Sequence, residues 1–211
     1  KYQGIYPPSI MRDIIGLPQE LFDNGNLECD GCVNYMKSGM VYADYITTVS
    51  KTYAQEITYP YFGERLDGYI RSARDRITGI INGLDEDEYN PAADTFPARK
   101  HINKEALQRE LGLPVNRNIP VVAMVTRLVA DKGLDLVTCI MDELIEEDIQ
   151  LVIVGTGDWA YEDAFRNLAR RYPTKVSANI LFNEGLAHQV YAAADIFMMP
   201  SRYEPCGLSQ L

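Results

Sequence analysis

The chain has 211 residues, enough for one full domain and part of another. An apolar share of 46% and a charged share of 24% are those of a globular protein, which excludes disorder, collagen and coiled coil. The net charge is −10 and no basic run exceeds two residues, so a nucleic-acid footprint is excluded and any anionic ligand needs its own local cations. No apolar run approaches the ~18 residues of a membrane span. The chain opens Lys1-Tyr2-Gln3 without a signal-peptide pattern and closes Ser209-Gln210-Leu211, so both ends are expected to be cuts through a longer protein.

In chain order, Tyr6-Pro7-Pro8 and Gly16-Leu17-Pro18 punctuate a loop-rich start. Cys29-Asp30-Gly31-Cys32 is a CxxC pair. A structural zinc site needs four ligands, and Cys139, Cys206, His101 and His188 offer no second close pair. A redox role has more behind it, because a helix pattern (Val33, Met36, Met40) starts just after the pair and a helix N-terminus lowers a thiol pKa. The reading adopted is two reduced, chemically bland cysteines in a loop. Residues 36–43 read as a short helix and 45–49 as a strand. Ser50 caps a helix running to Ile57, and 76–81 is a strand ended by Asn82-Gly83. Residues 85–104 hold few aliphatics and contain Pro91 and Pro97. They form the linker between a first domain, 1–84, and a second, 105–211.

Asn103 is expected to cap a helix over 104–111, closed by Gly112. Strands and helices then alternate. Strands are expected at 120–125, 149–154, 177–182 and 196–200. Helices are expected at 133–144, with Leu134, Val137, Ile140, Met141 and Leu144 on its buried stripe, at 158–172 and at 186–194. That alternation of short apolar strands with helices predicts an α/β fold with a parallel sheet covered on both faces.

In such sheets ligands sit beyond the carboxyl ends of the strands. Arg127 and Lys132 flank a loop ahead of a helix start, a setting for an anion such as a diphosphate. Gly155-Thr156-Gly157-Asp158-Trp159-Ala160 matches the GxGxxG/A dinucleotide pattern literally. It follows the second strand of the series rather than the first, and Lys175 stands where an acid should hold a ribose. A tight turn with Asp158 as N-cap is the plainer reading. Asp85-Glu86-Asp87-Glu88 reads as a solvated charge run rather than a metal cluster. Glu204-Pro205-Cys206-Gly207-Leu208 offers a carboxylate beside backbone N–H groups facing the same edge.

Together these residues resemble a known family. Ser201-Arg202-Tyr203-Glu204-Pro205-Cys206-Gly207-Leu208 is similar to the donor-site motif of bacterial glycogen synthases and plant starch synthases. Tyr2-Gln3-Gly4, Val41-Tyr42-Ala43-Asp44, Ile46-Thr47-Thr48-Val49-Ser50, Ile81-Asn82-Gly83-Leu84-Asp85, Asn90-Pro91-Ala92, Thr126-Arg127-Leu128, Lys132-Gly133 and Gly155-Thr156-Gly157-Asp158 follow the family's motifs in order. The resemblance implies a GT-B glycosyltransferase: a nearly complete Rossmann-like parallel-sheet domain after the C-terminal part of a preceding one, with the site between them. It implies transfer of glucose from ADP-glucose to the non-reducing 4-OH of an α-1,4-glucan with retention, in a bacterial cytoplasm and with no metal or other cofactor.

Carried over by resemblance, Arg127 and Lys132 hold the donor diphosphate and Glu204 the glucose hydroxyls. Backbone N–H groups around Cys206, Gly207 and Leu208 meet the sugar. Gly155 and Gly157 line the nucleotide-sugar site. Phe182 lies beside the adenine, and Asn82 stands at the hinge. No residue is placed as a covalent nucleophile, so front-side displacement is expected. The family's Lys-rich Gly-Gly loop and the His before Tyr-Gln-Gly are absent, the linker over 94–103 is shorter than usual, and Cys29 and Cys32 replace non-cysteine residues. The chain alone is therefore expected to be inactive. A nucleotide-binding regulatory module and an NAD-dependent oxidoreductase are the rival readings.

Overall fold

The computed structural model describes residues 2–87, 89 and 100–210. They divide into two compact units, Lys1–Gly83 and Leu84–Leu211. Most of the expected linker, residues 88 and 90–99, lies outside the described residues, as does Glu88 of the acidic run.

The first unit is less loop-like than its prolines suggest. Strand β1 (Ile5–Tyr6) is followed by a π-helical turn over Met11–Ile15 and helix α1 (Glu20–Asp23). Strands β2 (Glu28–Cys29) and β3 (Cys32–Asn34) form an antiparallel hairpin, and β1 adds to β3 in the order β1-β3-β2. The cysteines therefore lie at a hairpin tip, not in a loop, and Val33 is in the strand rather than in a helix. Met11, Leu27 and Val33 form the small core beneath this sheet.

Helix α2 (Tyr35–Tyr42) begins at Asn34, whose side chain accepts from the Lys37 amide. Strand β4 (Ile46–Thr48) leads to helix α3 (Lys51–Glu56), where Ser50 Oγ accepts from the Tyr53 amide, the cap expected from sequence. Helices α4 (Pro60–Gly63) and α5 (Asp67–Ser72), not expected, precede strand β5 (Ile77–Gly79), which pairs in parallel with β4. A Cβ on Gly79 would lie 2.3 Å from the Ser50 carbonyl oxygen, so glycine is what lets β5 approach the start of α3.

In the second unit helix α6 spans Lys100–Glu110, so Asn103 lies inside it rather than capping it. No Gly or Pro interrupts residues 100–103, and nothing stops the helix there. Then follow β6 (Val121–Val125), α7 (Leu134–Glu146), β7 (Gln150–Val154), α8 (Trp159–Arg171), β8 (Val176–Asn179), α9 (Glu184–Ala193) and β9 (Ile196–Phe197). The four strands are all parallel, in the order β8-β7-β6-β9.

Successive residues of each strand face opposite sides. Val122, Met124, Leu151 and Ile153 pack on α7 and α8 through Leu134, Val137, Phe165 and Leu168. Val121, Ala123, Val152 and Val154 pack on α6 and α9 through Leu107, Leu186 and Val190. This two-sided burial explains apolar runs without alternation. Ile140, expected on the buried stripe of α7, is 46% exposed; burial follows Leu134, Val137, Met141 and Ile145 instead.

Two polar devices fix α6 to the sheet. Gln108 and Gln150, both buried, hydrogen-bond each other at 2.8 Å, and their remaining groups pair with the backbone of Pro114 and Asn116. Lys104, 4% exposed, pairs with Asp195 at 2.7 Å, and that carboxylate also accepts from the Val121 amide. Burial would raise the Asp195 pKa; Lys104 and the Val121 amide outweigh it and hold the carboxyl below its usual range.

Candidate functional site

Strand order decides where a site can form. From β6 the chain proceeds outward through β7 to β8, then returns by α9 to place β9 on the other side of β6. The loops after β6 and β9 thus leave neighbouring strands at the switch point of the sheet, where folds of this kind form a ligand crevice at the carboxyl edge. Lys132 lies on the first loop and Glu204 on the second, and they form an ion pair with side chains 18% and 16% exposed. Ser201 Oγ donates to the same Glu204 oxygen at 2.8 Å.

The β6 loop is held on both sides. Toward β7, the Leu128 amide donates to Thr156 O and the Asp158 amide to Leu128 O, each at 2.8 Å, extending the parallel ladder as a bridge between Leu128 and Gly157. A Cβ on Gly155 would lie 1.8 Å from Thr126 O, and one on Gly157 2.2 Å from Leu128 O. Both glycines therefore have a packing reason: they let two loops touch. Toward β9, Gly133 adopts φ +69°, and a Cβ there would lie 2.0 Å from Pro200 O. The Arg202 amide donates to Asp131 O at 3.1 Å, and its guanidinium pairs with Asp135 at 2.5 Å. Gly207 is buried, with Glu204 Oε2 3.3 Å from where its Cβ would be.

Against this frame the free groups stand out. Arg127 is exposed, and its side chain makes no hydrogen bond or ion pair among the described residues. The backbone amides of Cys206, Gly207 and Leu208, the last opening a 3-10 turn over Leu208–Gln210, donate to no group among the described residues. A cation, a second cation held by a carboxylate, the N-terminus of α7 and a run of free amides meet at one sheet edge. That combination can bind a polyanion and polar hydroxyls together.

Phe182, expected at the end of a strand, follows β8 in a loop and is 83% exposed, so it is no part of the core. Two strand spacings separate β8 from β6, roughly 10 Å. Trp159, at the start of α8, is also exposed. Asn82 lies in the first unit, half buried, three residues beyond β5. Asp158 occupies the N-cap position of α8 but makes no capping hydrogen bond. The Gly157 amide donates instead to Glu162, and this bond, opposed by burial and helped by Arg166, holds the Glu162 carboxyl below its usual range. The GxG turn follows β7, the second strand of this unit, rather than β6, the first, which counts against the dinucleotide reading. Asp85, Glu86 and Asp87 are exposed, and no group of three or more metal-ligating side chains occurs among the described residues.

Ser201 and Arg202 stand in the motif singled out from sequence but were given no role there, and Asp135 was not singled out. Arg202 and Asp135 are 67 residues apart, and only the strand order brings them together.

Comparisons with known proteins bear on the family and the fold. The family described as starch synthase catalytic domain matches residues 1–72, and that described as glycosyl transferases group 1 matches residues 103–211. The chain is 51% identical over its whole length to a glycogen synthase of Geobacillus thermodenitrificans and 51% identical to one of Clostridium beijerinckii. It spans 45% and 46% of those relatives, somewhat less than half their length. The solved catalytic domain of starch synthase IV from Arabidopsis thaliana, bound to ADP and acarbose, matches 99% of this chain and 46% of its own, at 31% identity and a TM-score of 0.86. A glycosyltransferase from Rickettsia africae, 18% identical with a TM-score of 0.54 over 88% of this chain and 42% of its own, shares the fold. The fold class is thus the Rossmann-like α/β class of GT-B enzymes. The chain belongs to the group 1 glycosyl transferases, and within them it is similar to the glycogen and starch synthases.

Proposed function

We propose that the whole protein is a retaining glucosyltransferase that moves glucose from ADP-glucose to the non-reducing 4-OH of an α-1,4-glucan, working in the cytoplasm without a metal. The observation that carries this reading is the crevice pairing Lys132 with Glu204 beside the free Arg127. The leaving diphosphate develops charge as the glycosidic bond breaks, and fixed cations in a partly dry crevice stabilise it. Arg127 supplies a planar fork and Lys132 a point charge. Donor binding redirects Lys132 from Glu204 to phosphate, which frees the Glu204 carboxylate to accept from glucose hydroxyls. The amides of Cys206, Gly207 and Leu208 orient the sugar. Gly155 and Gly157 hold the β7 loop against Thr126 and Leu128, so that the adenosine runs along the sheet edge toward Phe182. Positioning and charge stabilisation supply the rate enhancement.

The test is incorporation of labelled glucose from ADP-glucose into glycogen by the full-length protein, beside a binding titration with ADP and NAD. Transfer with ADP binding supports the reading. ADP binding without transfer favours a regulatory nucleotide module, and NAD binding favours an oxidoreductase.

A further inference from the structure

The hairpin that carries Cys29 and Cys32 has a specific geometry. Asp30 (φ +52°) and Gly31 (φ +77°) are both left-handed, the conformation of a two-residue type I′ turn. Cys29 and Cys32 are therefore direct partners across the rung that closes the turn. Partners of this kind send their side chains to the same face of the sheet. Their Cα atoms lie about 5.5 Å apart in a hydrogen-bonded rung, near the centre of the range a disulfide spans. Both thiols are free and half buried.

We propose that Cys29 and Cys32 form a reversible dithiol–disulfide site, closed by exchange with a low-molecular-weight disulfide. One protein thiolate attacks a sulfur of the small disulfide, forming a mixed disulfide and releasing one small thiolate. The second protein thiolate attacks the protein-bound sulfur, forming the Cys29–Cys32 bond and releasing the other. Two protein thiols are oxidised, one small disulfide is reduced to two thiols, and the protons end on those thiols. Burial first, and then the Asp30 carboxylate, push the Cys29 thiol up, which suits Cys29 to the resolving rather than the attacking role. Cys139, exposed on α7, is a built-in reference for simple thiolation. The site stands apart from the transferase reading and holds whether or not that reading does.

The experiment is equilibration of the full-length protein in glutathione buffers of graded ratio, then alkylation and peptide mapping of residues 28–34. The expected result is loss of two hydrogens in that peptide with no glutathione attached, while Cys139 carries glutathione. Repeated in denaturant, the closing equilibrium should weaken at least tenfold, about 30 mV, because the turn no longer presents the thiols to each other. Cys29→Ser should trap glutathione on Cys32. Separate glutathionylation of both cysteines, an unreacted pair where Cys139 has reacted, a closing equilibrium unchanged in denaturant, or zinc retained by the pair would each overturn the proposal.

Discussion

Lys132→Ala tests how the crevice handles charge. At an effective dielectric constant near 20, two unit charges about 4 Å apart attract by roughly 4 kcal/mol. Lys132 already has a partner in Glu204, so binding a phosphate exchanges one attraction for another. Its net contribution is the difference, which grows in the transition state as the diphosphate gains charge. We expect a loss of at least tenfold in kcat/KM, about 1.4 kcal/mol.

The assay is glucose incorporation by the full-length protein, run with and without EDTA. EDTA should leave turnover largely intact, and Asp87→Asn should do little, because Asp87 is exposed and joins no metal-ligating group among the described residues. Turnover abolished by EDTA and restored by Mg²⁺, together with a mild Lys132→Ala phenotype, would refute the reasoning.

Three further outcomes are expected. Asp195→Asn should destabilise the chain by about 1–3 kcal/mol in thermal melts near neutral pH, since it leaves Lys104 buried beside a neutral group; the lower end reflects the partial exposure of Asp195. Because the folded pKa of Asp195 is depressed, the contribution is present above the unfolded value of about 3.9 and is lost as pH falls through the folded one, so the two melting curves should converge in acid. Phe182→Leu in the full-length protein should weaken ADP by roughly 1–3 kcal/mol in a calorimetric titration, by analogy with base–aromatic stacking; unchanged affinity would remove Phe182 from the base site. Under reducing conditions the Cys29→Ser/Cys32→Ser double variant should keep its melting temperature within about 2 °C, as changes at a half-buried hairpin tip are small.

The second unit was legible because its two central strands, β6 and β7, are five-residue, mostly apolar runs, each followed by a helix with a clear stripe. The periodicity there is long enough to fix element type, and the parallel sheet follows from the alternation. The first unit builds its small sheet from strands of two or three residues, too short for any period to show. Its hairpin did carry a local signal. Asp30-Gly31 is a type I′ turn dipeptide, but inside a CxxC it reads as spacer between two thiols. Lys104–Asp195, Gln108–Gln150 and Asp135–Arg202 join residues 42 to 91 positions apart, and only the strand order makes them neighbours. Lys132 and Glu204 were both named from sequence as candidates; that they hold each other was not legible there.

Gly157→Ala separates two meanings of the GTGD turn. If Gly157 serves a ligand that approaches its backbone, a methyl group there should weaken nucleotide binding and leave the unliganded protein as stable as before. The geometry assigns it another task. Its φ is not in the left-handed region, so alanine adds no backbone strain, and the whole effect comes from the new Cβ. That atom would lie 2.2 Å from Leu128 O and 2.8 Å from Leu128 Cα, both backbone atoms that cannot swing aside. The β6 loop must move away from the β7 loop, breaking the bonds of Leu128 to Thr156 and Asp158 and shifting Arg127 and Lys132 with them. Overpacking of this kind costs about 1–3 kcal/mol, or roughly 2–12 °C at 2–4 °C per kcal/mol for a protein of this size. The unliganded variant should therefore melt lower, and transfer should fall because the cations are displaced. An unchanged melting temperature with weakened ADP binding would show that Gly157 meets the ligand, and that the contacts on the β9 side suffice to position the β6 loop.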